Sequence, residues 1–220
     1  MGIAQNITAL HNELPPQVKL VAVSKFHPVE SIEEALAAGQ KVFGENRPQE
    51  FGKKVQTLQG RGIEWHFIGH LQTNKLKMVL PYADLVESVD SARLLDAVNE
   101  WGGKAGKVIP VLLELHVAAE ETKQGFYEEE ILDILFRAGS FKNVRFCGLM
   151  GMATNTDQEE DIRADFARIK AFYDYLRDLF PEYEDFRELS IGMSSDWRIA
   201  LDYGATIVRI GTSIFGEREY

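Results

Sequence analysis

The stretch VKLVAVSKFHPVESIEEALAAGQKVFGE, residues 18–45, decides the fold. It begins with a β-branched run (18–25), crosses an amphipathic segment (28–39) and returns to a second short run (41–45). In the middle segment Val29, Ile32, Ala35 and Leu36 recur at helical spacing, with proline at the front and glycine at the back, as helices are commonly punctuated. A strand, a helix and a strand in this order imply parallel strands joined by a right-handed crossover.

Outward from this unit the pattern repeats. Further β-branched runs lie at 64–70, 84–90, 108–117, 144–152, 186–192 and 206–215, which makes eight strands. Between them, 90–101 opens with an Asp or Ser cap and sets Leu94, Leu95 and Val98 on one face. Segment 161–180 carries Ile162, Phe166, Ile169, Phe172, Tyr173, Leu176 and Leu179 on one stripe and is halted by Pro181. Glu128–Glu130 place negative charge where a helix begins, and 196–204 reads as a short last helix ending in glycine. One more helix, over 3–13, precedes the first strand. Alternation of this kind is an α/β signature, and a count of eight favours a closed (β/α)8 TIM barrel over an open sheet. No Ser/Gly-rich linker interrupts it, so residues 1–220 read as a single domain.

Charge narrows the function. Against 34 Asp+Glu stand only 24 Lys+Arg in 220 residues, a formal net charge of −10. That excludes the cationic footprint of a general nucleic-acid binder and argues against an anionic membrane surface. No apolar run approaches the length of a membrane span. The start, MGIAQNITALHNELPP, lacks a basic n-region and a long apolar core, and Asn6 stands where a myristoylation signal needs Ser or Thr. The single cysteine, Cys147, cannot form an intrachain disulfide and reads as a buried, inert strand residue. A cytoplasmic location is the expectation.

Barrel enzymes and binders work at the carboxyl ends of their strands. Lys25 closes VAVSK there, on the strand face of Val21 and Val23. Partial desolvation would lower its pKa and let the neutral amine attack a carbonyl; the bland alternative is a lysine snorkelling into water. Gly192, Ser194 and Asp196 follow the seventh strand, and Gly211 and Thr212 the eighth. Glycine amides and hydroxyls from neighbouring strands suit a phosphate, although they equally suit tight turns. Arg209 shares a face with Ile207 and needs a partner inside the barrel, either Glu45, Glu87 or Glu114 or a ligand heteroatom. Glu45, Asp90 and Glu114 are candidate acids or bases, and Lys75 and Lys77 belong to a solvated helix face. His66 and His70 lie on a strand without companion ligands, so no metal site is expected.

Long motifs in order make the chain similar to the pyridoxal-phosphate homeostasis proteins, whose fold is that of the alanine racemase N-terminal barrel. They are VAVSK (21–25), FGENRPQE (43–50), WHFIGHLQTNK (65–75), SVDS (88–91), GLMGM (148–152), LSIGMSSDW (189–197) and VRIGTSIFG (208–216). Departures are confined to the rim: Phe26 and His27 replace an expected Thr-Lys, and GMAT replaces a proline-richer turn.

The resemblance implies pyridoxal 5′-phosphate as cofactor, with Lys25 as the Schiff-base lysine, Asn46 lining the site, Ser194, Gly211 and Thr212 on the phosphate, and Arg209 facing the pyridine nitrogen. A permanently cationic arginine cannot take up a proton for that nitrogen, which discourages electron-sink chemistry. Racemases of similar fold draw a second base from a partner's added domain, whereas this chain ends at Tyr220, soon after the eighth strand. The resemblance therefore implies a monomeric carrier that buffers the cofactor and supplies it to apo-enzymes, without an assigned catalytic residue. Alternatives are a weak racemase, with Glu45 or His70 moving the proton, and a cofactor-free aldolase or phosphosugar isomerase built on Lys25.

Overall fold

A computed structural model describes residues 2–117 and 124–216. Its strands are β1 (Lys19–Val23), β2 (Val42–Glu45), β3 (Glu64–Phe67), β4 (Leu85–Val89), β5 (Ile109–Leu115), β6 (Val144–Gly151), β7 (Glu188–Met193) and β8 (Ile207–Ile210). All pair in parallel in chain order, and β8 returns to β1 to close the barrel. The helices are α1 (Ile3–Glu13), α2 (Val29–Ala37), α3 (Pro48–Thr57), α4 (Leu76–Val79), α5 (Ala92–Ala105), α6 (Glu128–Phe136), α7 (Glu159–Leu179), α8 (Trp197–Asp202) and α9 (Thr212–Phe215). The expected (β/α)8 barrel with an N-terminal helix is what forms.

Local chemistry sets the element ends. Pro48 starts α3, and Ser91 caps α5 by accepting the Leu94 N–H. That helix runs past Trp101 and stops at Gly106 in the left-handed conformation. The eighth strand is shorter than its β-branched run suggests: it ends at Ile210, and Thr212–Phe215 coil into α9, so α8 is not the last helix. β3 likewise stops at Phe67 and β1 at Val23. Lys25 therefore stands in a turn rather than at the end of a strand.

Period-two alternation sorts each strand into two faces. Leu20 and Ala22, Phe43, Trp65 and Phe67, and Val208 and Ile210 pack outward under the helices. Val21, Leu85, Leu112, Cys147, Met150 and Ile207 pack inside the barrel. A bulge lets β6 follow both partners. Its extra residue is Cys147, and the next, Gly148, has φ +148° and sits where a Cβ would lie 1.8 Å from the Glu188 carbonyl oxygen.

Candidate functional site

The strand ends open into a cavity of about 550 Å3 lined by Lys25, Asn46, Ser194, Arg209, Gly211 and Thr212, together with His27, His70, Met152, Met193 and others. Thus the six residues singled out from sequence as a cofactor set share one cavity, although they come from four separate segments. Ser194 and Gly211 join the last two segments directly, the Gly211 N–H donating to Ser194 Oγ at 3.2 Å. Asp196 spends its carboxylate on the same loop, accepting the Met193 N–H at 2.5 Å.

Arg209 is buried and multiply held. Its guanidinium donates to the Ser190 carbonyl oxygen (2.8 Å), Ser190 Oγ (2.7 Å) and the Gly151 carbonyl oxygen (3.0 Å). Ser190 Oγ donates onward to Glu87 Oε2 at 2.5 Å, and Glu87 lies 3.9 Å from the guanidinium. Of the three carboxylates considered from sequence as partners, Glu87 is the one close to Arg209. Structural anchoring and access to the cavity coexist in this residue.

The chain of charges continues down the barrel. Glu87 Oε1 meets His66 Nδ1 at 2.5 Å, His66 Nε2 meets Glu64 at 3.0 Å, and Glu64 accepts from Lys19 at 2.6 Å. Burial alone would push the His66 imidazole down, but its bonds to Glu64 and Glu87 outweigh that and raise it. Burial likewise opposes ionisation of Glu87, and His66, Arg209 and Ser190 reverse the balance and lower it. Both ring nitrogens thus face carboxylate oxygens, an arrangement that favours the protonated form. Glu114 is less well supported among the described residues: burial and then the Asp90 charge push it up to about 7, although Arg209 pulls the other way.

His66 and His70 have different surroundings, for His70 sits exposed at the mouth with Nδ1 2.8 Å from Asp90. Among the described residues no group of three or more side chains is placed to hold a metal. Cys147 is buried, and burial raises its thiol. Glu45 faces outward from β2, away from the cavity. It accepts Ser24 Oγ and Lys54 Nζ, each at 2.6 Å, and burial foremost raises its carboxyl despite Lys54.

The sequence reading passed over Lys54 and Glu50. Both lie on α3, at i,i+4 spacing, in the run EFGKK that follows ENRPQ. That spacing was visible, but nothing in it indicated that the helix turns these charges toward Ser24 and Phe26.

A closed parallel barrel with an amine, a guanidinium and clustered hydroxyls at its carboxyl mouth defines a cofactor-binding barrel of the alanine racemase kind. Accordingly the family model "Alanine racemase, N-terminal domain" matches residues 2–219. The chain belongs to that family, and within it to the pyridoxal phosphate homeostasis proteins. The relative of that name from Aquifex aeolicus is 41% identical over 92% of this chain and 88% of its own length. PipY of Synechococcus elongatus PCC7942, solved without PLP, superposes with a TM-score of 0.92 at 36% identity, over 97% of this chain and 100% of that one. The structure of PipY with PLP bound gives 0.89 at the same identity and coverage.

The residues present suit such a cofactor. Among the described residues, Asn46 Oδ1 is one of the two buried side-chain oxygens without a hydrogen-bond partner, and Asn46 lines the cavity. Its backbone packs so closely on Gly69 that a Cβ there would lie 2.2 Å from the Asn46 carbonyl oxygen. An amine, an anchored cation and hydroxyls together match an aldehyde bearing a phosphate, and the unsatisfied Asn46 oxygen is an acceptor suited to a donor such as the cofactor's ring hydroxyl.

Proposed function

We infer that the protein binds pyridoxal 5′-phosphate and acts in its intracellular homeostasis, holding it reversibly on Lys25 and releasing it to apo-enzymes. The observation that carries this reading is the convergence of Lys25, Asn46, Ser194, Arg209, Gly211 and Thr212 on one cavity. When bound, the cofactor supplies an aldehyde that condenses reversibly with an amine, the carbonyl oxygen leaving as water with both amine protons.

In this reading Lys25 gives the lone pair. Ser194, Thr212 and the Gly211 backbone hold the phosphate, Asn46 lines the site, and Arg209 faces the ring nitrogen. Arg209 is permanently charged and fixed by Ser190, Gly151 and Glu87, so it places a cation where an electron-sink enzyme would offer a carboxylate. That weakens the ring as an electron sink. In this reading the protein works as a monomer, and the one closed barrel supports a single domain over residues 1–220. Among the described residues no helix is long and apolar enough to cross a membrane, and together with the lone buried thiol this is compatible with the cytoplasm.

Borohydride reduction followed by peptide mapping tests the reading. A pyridoxyl adduct is expected on Lys25 and absent from Lys25→Ala; an unlabelled Lys25 in protein that retains the cofactor would overturn it.

A further inference from the structure

Lys25 lies in a tight turn at the edge of the cavity. The His27 N–H donates to the Ser24 carbonyl oxygen at 3.0 Å, closing a turn over residues 24–27 with Lys25 at its second position. Phe26, at the third, has φ +66° and is, among the described residues, the one non-glycine with positive φ. This is the arrangement of a type II turn, whose third position ordinarily takes glycine. A bulky side chain persists there only when its surroundings impose the conformation.

Those surroundings come from β2 and α3. The Phe26 N–H donates to Glu50 Oε2 at 3.1 Å, and the Arg47 guanidinium lies 4.3 Å over the Phe26 ring. Lys54 is buried and donates to the Ser24 carbonyl oxygen (2.8 Å) and Glu45 Oε1 (2.6 Å), with Glu50 Oε2 at 3.8 Å. Ser24 Oγ donates to the same Glu45 oxygen. Both neighbours of Lys25 are thus tied to one charged cluster, and neither Lys54 nor Glu50 lines the cavity.

We propose that Lys54 and Glu50 are positioning residues, which hold the 24–27 turn in its strained form so that the Lys25 amine is presented to an incoming aldehyde. The proposal rests on Lys25 being the amine that captures the cofactor. Glu50 fixes the Phe26 amide, Lys54 fixes the Ser24 carbonyl, and the Lys25 backbone between them has little freedom left. A misplacement of about 1 Å is enough to slow a bond-forming encounter by up to about a hundredfold.

The test compares two ligands of one shape. Pyridoxal 5′-phosphate bonds to Lys25, whereas pyridoxamine 5′-phosphate has no aldehyde and can only occupy the cavity. Apo-protein is mixed with each; covalent capture is followed by visible absorbance and pyridoxamine phosphate affinity by calorimetry. Lys54→Met and Glu50→Ala are expected to slow capture about tenfold or more while changing pyridoxamine phosphate affinity by no more than about twofold. Phe26→Gly, which accepts positive φ freely, is expected to restore most of the loss in the Glu50→Ala background.

Burial already raises the Glu45 carboxyl, so it can take up a proton when Lys54 is replaced, and half-buried Glu50 offers a second variant that leaves Lys54 in place. Parallel weakening of both ligands, unchanged capture, or failure of Phe26→Gly to restore it would each overturn the proposal. Undiminished capture in Lys25→Ala would instead remove the functional reading beneath it.

Discussion

The two faces of the barrel wall differ in what they bury. Outside, under the helices, lie Phe43, Phe51, Phe67 and Phe166, all fully buried in a continuous apolar layer. Inside, six buried apolar side chains share the space with Glu87, His66, Ser190 and Arg209. Apolar burial is favourable wherever it occurs and needs no particular partner. Buried charges contribute only when each is matched, and a run of partners from half-exposed Lys19 and Glu64 through His66 and Glu87 to Arg209 does so, with Glu114 outside it. The outer layer therefore holds the fold, and the inner one fixes the charge presented at the mouth. A charged pair, Glu45 with Lys54, intrudes on the outer layer, and it lies directly beneath the Lys25 turn.

Substitutions can break this division or sharpen it. The largest effect is expected from Lys25→Ala: covalent capture is abolished, while the unfolding free energy from urea stays within about 0.5 kcal/mol of the parent because the side chain lies at the rim. A large stability loss there would blur the division at once. Phe166→Ala, in the outer layer, should cost about 3–5 kcal/mol by urea unfolding yet leave cofactor retention by the folded protein unchanged.

Glu87→Gln should do both. Removing the carboxylate strands His66 and Arg209, costing about 3 kcal/mol, and retention through gel filtration should fall as the guanidinium loses its anchor. A stability loss with full retention would reduce the inner charges to packing.

A smaller, pH-bounded effect belongs to Glu114. Its carboxyl releases a proton near 4.5 when unfolded but holds it to about 7 when folded. Between those values the folded state binds more protons, so stability falls as pH rises. Glu114→Gln should flatten that slope, recovering up to about 3 kcal/mol near neutral pH. If the slope survives, another group is responsible. The smallest effect is expected for Cys147→Ala, below about 1 kcal/mol, with retention intact.

Much of this was legible in the chain. Eight β-branched runs separated by helical stripes are enough for a closed parallel barrel, because period two and period 3.6 leave different apolar patterns. Arg209, Gly211 and Thr212 were legible too, since strand ends are where a barrel gathers polar residues. The eighth run misled at its end: Ile214 and Phe215 look like strand residues, but Gly211 breaks the ladder and four residues coil instead. Lys25 was assigned to a strand face because VAVSK continues the alternation, and local pattern gives no sign that the chain turns after Val23. Lys54 and Glu50 escaped because a charged pair on a helix looks solvated until the helix is docked.

Periodicity along the chain determined the barrel, its strand order and which segment ends would meet at the mouth, because those follow from local spacing and from the handedness of crossovers. Tertiary structure alone decided that Glu87 rather than Glu45 or Glu114 stands beside Arg209, that His66 sits between two carboxylates, and that a phenylalanine accepts positive φ next to Lys25. Such outcomes depend on distances between residues remote in sequence, and the cost of burying a charge or straining a turn is met only once those partners have come together.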